Sequence, residues 1–184
     1  MQMTYKTIRS GRKTLALEIK PGGLLVRAPF RTTDAEIAQF VRQHRDWIEK
    51  HLKKLEAHQQ AAGEPLTPEE IRALAEQALK VIPERVRCYA PKVGVTYGRI
   101  TIRNQRTKWG SCSGKGNLNF NCLLMLTPPE VLDSVVVHEL CHRKEMNHSD
   151  RFYAEVLRVF PDYWKWNRWL KENGGALMAR MTGV

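Results

Sequence analysis

Apolar and polar residues first alternate with a period of two, and that pattern sets up the opening elements. "TLALEIK" alternates, "PGG" interrupts it as a turn, and "LLVRAP" resumes an extended run. Residues 5–30 therefore read as strands containing a β-hairpin. The period then becomes helical. Ile37, Phe40, Val41, Ile48, Leu52 and Leu55 recur at helical spacing along one helix, N-capped by Thr33 with Glu36 three residues on. "AAGEPLTPEE" breaks the pattern and reads as a linker. A second helix starts with Thr67 as cap, Pro68 at its first position and Glu70 completing a capping box. It runs to about Ala90, and Pro83 should kink or end it.

From Lys92 the period returns to two. "VGVTYGRITIRN" predicts a hairpin turning near Gly98. "RTKWGSC", an "SGKGN" turn and "LNFNCLLML" follow. In the last stretch Leu118, Phe120, Cys122, Leu124 and Leu126 share one face, with Asn119 and Asn121 opposite. Helices near 128–145, 149–159 and 161–173 close the chain. A small sheet followed by helices implies an α+β fold. The linker divides it into a strand-helix subdomain over 1–60 and a second domain over 66–184.

The helix near 128–145 carries the chemistry. "SVVV" alone would suit a strand, but Thr127 as N-cap, Pro128 first and Glu130 third make a capping box. Four residues turn a helix by about 400°, so His138 and His142 lie roughly 40° apart on one face. Glu139 falls on the adjacent flank, where it can reach a water beside a cation without ligating it, as a general base does. The helix is apolar nearly all round, which makes it a central one. His148 comes six residues after His142, at a bend before Ser149, the cap of the next helix. Three protein ligands with a fourth position for water match a catalytic zinc, though imidazoles also suit Ni or Co. Glu145 and Glu155 are alternative third ligands, less well placed than His148. Cys141 reads as a small core residue.

If the strand before this helix is an edge strand, an extended peptide can pair with it, with Asn119 and Asn121 facing the cleft. Asn121, Arg106, Lys108 and Tyr153 are candidate oxyanion donors. Trp109 reads as packing, and so do Trp164, Trp166 and Trp169, given their helical spacing.

Composition narrows the setting. Of 184 residues, 42% are apolar, enough for a core. No apolar run approaches the ~20 residues of a membrane helix, and the start lacks a signal-peptide apolar region. Four cysteines form no C-x-x-C pair. These features predict a cytoplasmic protein with reduced thiols and no membrane partner. The net charge of +11 lies in residues 1–127, with 22 Lys/Arg against 11 Asp/Glu; residues 128–184 carry 8 of each. A basic surface favours acidic partners, nucleic acid included. An alternative reading is a basic nucleic-acid-binding module with a structural metal. It draws on seven Lys/Arg from Arg85 to Lys108, with no acid after Glu84.

The stretch from "TKWGSC" to "NRWLK" resembles the YgjP-like metallopeptidases, related to the WLM and SprT zinc proteases. Its signatures are W-G-S-C at Trp109–Cys112, Asn121 in the strand, and HExxH-x5-H at His138–His148 followed by "HSDRF". "DWIEKHL" in the N-terminal part also fits. The resemblance implies a zincin-like fold with a small antiparallel sheet and a central HExxH helix. It implies zinc on His138, His142 and His148, a catalytic Glu139, and a peptide or protein substrate. By analogy with its relatives, that substrate is associated with nucleic acid. Lys108, Cys122 and Tyr153 depart from the residues usual in that pattern and leave the metal site intact.

Overall fold

The period-two stretches near the N-terminus form three strands, β1 (Tyr5–Ser10), β2 (Ala16–Lys20) and β3 (Gly23–Pro29). They belong to a computed structural model that describes residues 4–20 and 22–181. β2 and β3 make the predicted hairpin, and β1 adds in parallel on the far side of β3. Pro21 of the turn lies outside the described residues. Gly22 and Gly23 take φ of +101° and +116°, backbone that side chains with a Cβ rarely enter. Leu24, Val26 and Ala28 alternate inward along β3 and meet Ile37, Val41 and Ile48. Those three residues come from two helices, α1 (Asp34–Gln43) and α2 (Arg45–Ala61), where the spacing predicts one. The break falls at His44. Its backbone leaves the helical region, and its ring Nδ1 approaches the Phe40 carbonyl at 2.8 Å. A side chain that bonds a backbone carbonyl of its own helix competes with the helical ladder. Thr33 and Glu36 do form the predicted capping box.

The chain divides into two compact units, Met1–Ala61 and Ala62–Val184. The second opens with α3 (Pro68–Val93), capped by Thr67 and Glu70 as the sequence predicts. Thr67→Ala is expected to lower this unit's stability by about 1 kcal/mol, read by urea unfolding. Pro83 does not end the helix, which continues past Ala90, the end the sequence predicts. Ala78, Ile82, Val86 and Ala90 form an unbroken buried stripe across it, so packing outweighs the missing ladder bond. The helix ends at Gly94, which is left-handed at φ +80°.

The sheet of this unit contains β4 (Ile100–Arg103), β5 (Gly110–Cys112) and β6 (Leu118–Asn121), in the order β4-β6-β5. It is mixed rather than antiparallel, because β4 runs parallel to β6 and only β5 is antiparallel. The predicted hairpin at Gly98 is absent. Gly98 instead donates to the Gly116 carbonyl at 2.8 Å, and a Cβ there would sit 2.5 Å from Asn117 Oδ1. Close approach, not a turn, calls for that glycine. β6 is the central strand, so the expectation that it forms an edge is corrected. It is also shorter than the alternation suggests, because Cys122–Leu126 wind into a 3-10 turn.

Three helices complete the unit: α4 (Pro129–Cys141), α5 (Asp150–Val159) and α6 (Tyr163–Ala179). Thr127 is not the α4 cap. Its hydroxyl donates to the Leu124 carbonyl, closing the 3-10 turn, and Pro128 takes the cap position without a side-chain bond. Ten of the thirteen α4 residues are buried, so the helix is the central element the sequence predicts. α3, β6 and α5 contribute to the same core through Val86, Phe120 and Phe152. Burying a side chain of Phe size contributes roughly 1.5–3 kcal/mol, which makes this core the scaffold of the site. Among the described residues no helix is long and apolar enough to cross a membrane.

Candidate metal centre

α4 ends one residue before His142, earlier than predicted, yet His142 keeps helical backbone angles at the C-cap. The four-residue geometry with His138 therefore survives. The next residues turn back tightly: the N–H groups of Lys144 and Glu145 both donate to the Cys141 carbonyl. This swings His148 over the end of α4. Ligand atoms of His138, His142 and His148 all lie within 4.8 Å of one another. Nε2 of His148 approaches Nε2 of His138 at 3.0 Å.

The outward nitrogens are anchored. His138 Nδ1 meets the Tyr163 hydroxyl at 2.9 Å, and that hydroxyl also accepts from Asn167 Nδ2 at 3.1 Å. His142 Nδ1 meets the Glu145 carbonyl at 3.0 Å. The Glu145 carbonyl can only accept, so it calls for the proton on His142 Nδ1 and leaves Nε2 as that ring's free donor atom, while the Tyr163 hydroxyl holds the His138 ring in place. Behind the cluster stands the Phe152 ring, with centroids 4.9, 4.6 and 4.9 Å from those of His138, His142 and His148. Burial, reinforced by the neighbouring His142 and His148, pulls His138 down to about 3, so it is neutral at neutral pH.

Glu139 is 5% exposed. Its Oε2 has no hydrogen-bond partner among the described residues. Burial pushes its carboxyl up to about 8, with Lys108 pulling weakly the other way. β5 lies directly against it: a Cβ on Gly110 would meet Glu139 Oε1 at 2.6 Å. The residues present fit a divalent cation. Three imidazoles converge, two are held from behind, and beside them stands a buried carboxyl whose Oε2 has no partner among the described residues.

The alternative third ligands are elsewhere. Glu155 is engaged by Lys144 and Arg158, each at 2.9 Å, and Glu145 contributes its backbone carbonyl. Cys141 is buried in the core, as read. Asn121 does not face a cleft. It is buried, donates from Nδ2 to the Gln105 and Lys108 carbonyls, and accepts from the Leu123 N–H. The strand ends at Asn121, so alternation no longer dictates its direction and capping does. Asn119 is half-buried and donates to the Ser111 hydroxyl across the β5–β6 pair. Tyr153 is half-buried, its ring 6.2 Å from that of His148. Arg106 and Lys108 are exposed. Trp164 is exposed too, contrary to its expected packing, and lies against Tyr153 at 4.8 Å. Trp109 is half-buried against Gly174, where a Cβ would come within 3.0 Å of its ring. Phe152, Tyr163 and Asn167 were not singled out by sequence reasoning. The only signal available was the aromatic cluster at the α5–α6 junction.

Two imidazoles from the end of α4 and one from the bend beyond it, beside a carboxyl on the buried helix, form the site of a metal-dependent hydrolase. The chain belongs to the YgjP-like metallopeptidase family: the model of that metallopeptidase domain matches residues 13–75 and 70–173. No curated protein matches it. Solved structures similar to the chain include two metallopeptidase zymogens. The metallopeptidase zymogen of Pyrococcus abyssi abylysin has 22% identity and a TM-score of 0.45, covering 50% of this chain and 94% of that one. The metallopeptidase zymogen of Methanocaldococcus jannaschii jannalysin has 22% identity and a TM-score of 0.45, covering 50% of this chain and 96% of that one.

Proposed function

We propose that the chain is a zinc-dependent peptidase with Glu139 as its general base. The observation that carries this reading is the buried Glu139 carboxyl, whose Oε2 has no hydrogen-bond partner among the described residues, beside three converging imidazoles. His138, His142 and His148 would hold the cation through ring nitrogens. When bound, it supplies Lewis acidity, polarising the scissile carbonyl and easing deprotonation of water near neutral pH. The proton work falls to this chain. Glu139 Oε2 takes the proton from the attacking water and delivers it to the departing amine. Its burial makes it a stronger proton acceptor than an ordinary glutamate. Tyr163 and Glu145 keep His138 and His142 oriented. β5, at the border of the sheet among the described residues, offers its main chain to an extended peptide beside Glu139. The cationic excess of residues 1–127 supports a finer version, in which substrates are proteins held on nucleic acid.

Elemental analysis of protein loaded with zinc and desalted is expected to give one zinc per chain. A chelator should abolish hydrolysis of denatured protein, and added zinc should restore it. Cleavage that persists in protein stripped of metal would overturn the reading.

A further inference from the structure

The connection between β4 and β5, residues 104–109, has to cross the central strand. Arg103 ends β4 beside Asn121, and Gly110 opens β5 beside Phe120. The chain therefore passes from one side of β6 to the other over that strand's last residues. Asn104, Arg106, Thr107 and Lys108 of the connection are exposed. Yet Lys108 and Trp109 join Gly110 in lining a cavity of about 190 Å³ beside His138 and Glu139. An exposed run of chain thus borders the reacting groups, and something has to hold it still.

Asn121 meets that need. It is the last residue of β6 and is 1% exposed. Its Nδ2 donates to the Gln105 carbonyl at 2.7 Å and to the Lys108 carbonyl at 3.0 Å, and its backbone N–H donates to the Trp109 carbonyl at 2.9 Å. Its Oδ1 accepts from the Leu123 N–H at 3.1 Å. Both amide N–H groups are spent on the connection and the oxygen on the turn that follows. The amide has one usable orientation, since reversing it would set oxygen against two carbonyls. Burial makes these bonds count, because a buried group that loses its partner bears the full cost of desolvation. We infer that Asn121 is a positioning residue for hydrolysis: from the end of β6 it grips the carbonyls of Gln105, Lys108 and Trp109 and so keeps Trp109 and Gly110 in place beside Glu139, without meeting the substrate itself. This inference rests on the peptidase reading and adds to it a residue outside the cleft.

Asn121→Asp is the test. An ionised Asp donates nothing and a protonated one donates once, so at least one side-chain bond to the connection is lost, while the size and the acceptor for Leu123 are kept. In zinc-loaded protein, kcat should fall by about 10-fold or more with metal content unchanged. Trypsin should cut after Arg106 and Lys108 about 10-fold faster under native conditions. The Trp109 indole N–H resonance should move as well. A merely structural role would lower activity only in step with the folded fraction, read by urea unfolding, and would leave both local signals alone. Unchanged kcat or unchanged nicking in a folded variant would overturn the inference. Should the variant not fold, the wild type decides. Its Arg106 and Lys108 are exposed, yet it should resist trypsin after both. Resistance supports the inference, and nicking as fast as in a free peptide of residues 100–112 overturns it. The two readings fail separately. Wild-type protein that cuts no peptide sinks the peptidase reading, whereas cutting that Asn121→Asp leaves intact sinks this one.

Discussion

Replacing Glu139 by Gln is expected to lower peptide hydrolysis by about 100- to 10,000-fold while zinc stays at one per chain. Gln keeps the size and hydrogen-bonding reach of the side chain but cannot accept the proton. His138, His142 and His148 are untouched, so metal content should hold. Retained metal with lost turnover assigns Glu139 to proton transfer, whereas loss of both would assign it to the cation. The same substitution has a second readout in metal-free protein. Burial raises the Glu139 carboxyl from 4.5 to about 8. Between those values the folded chain holds a proton that the unfolded chain has released, so wild-type stability falls as pH rises through that window. Gln carries no such proton. The stability advantage of the variant should therefore grow from pH 4.5 to about 8 and then level off. Urea unfolding across that range measures it, and a pH-independent difference would contradict the buried, unpartnered state of the carboxyl.

Gly110→Ala is expected to cost nearly as much activity without touching a titrating group. The added methyl would lie 2.6 Å from Glu139 Oε1, 2.7 Å from Cγ and 2.9 Å from Cδ. Carbon cannot approach that closely, so either β5 retreats or the carboxyl turns away. A displacement near 1 Å in a reacting group can cost about 100-fold. Metal content should remain normal, because the methyl meets Glu139 and none of the imidazoles among its nearest atoms. A variant keeping more than a tenth of wild-type kcat would show that Glu139 tolerates the intrusion.

The parts of the fold legible in the sequence are those decided by neighbours along the chain. Thr67 with Glu70, and Thr33 with Glu36, cap their helices because a hydroxyl and a carboxylate three residues apart suffice. His138 and His142 share a face because helical rotation brings every fourth residue round. His148 joins them because a bend of a few residues can do no more than fold back. What stayed hidden depends on distant partners. The sequence runs the helix through Pro83, but what lets it do so, the packed stripe from Ala78 to Ala90, lies outside the reach of its own periodicity. Thr127 looks like a cap, yet a closer carbonyl on Leu124 claims its hydroxyl. Asn121 points inward although alternation points it outward, since Gln105 and Lys108 place their carbonyls there. Tyr163 reaches His138 across 25 positions of sequence, a distance that periodicity does not span.

β5 is three residues long and has a strand neighbour on one side among the described residues. A border so short offers little to another copy of itself, which limits self-association. It still presents main-chain groups to any chain that arrives extended. Native proteins have committed their strands to internal partners and can offer such a border nothing, whereas a frayed tail or an unravelled segment can. An enzyme that recruits through this strand would tell its victims apart by whether they have come undone.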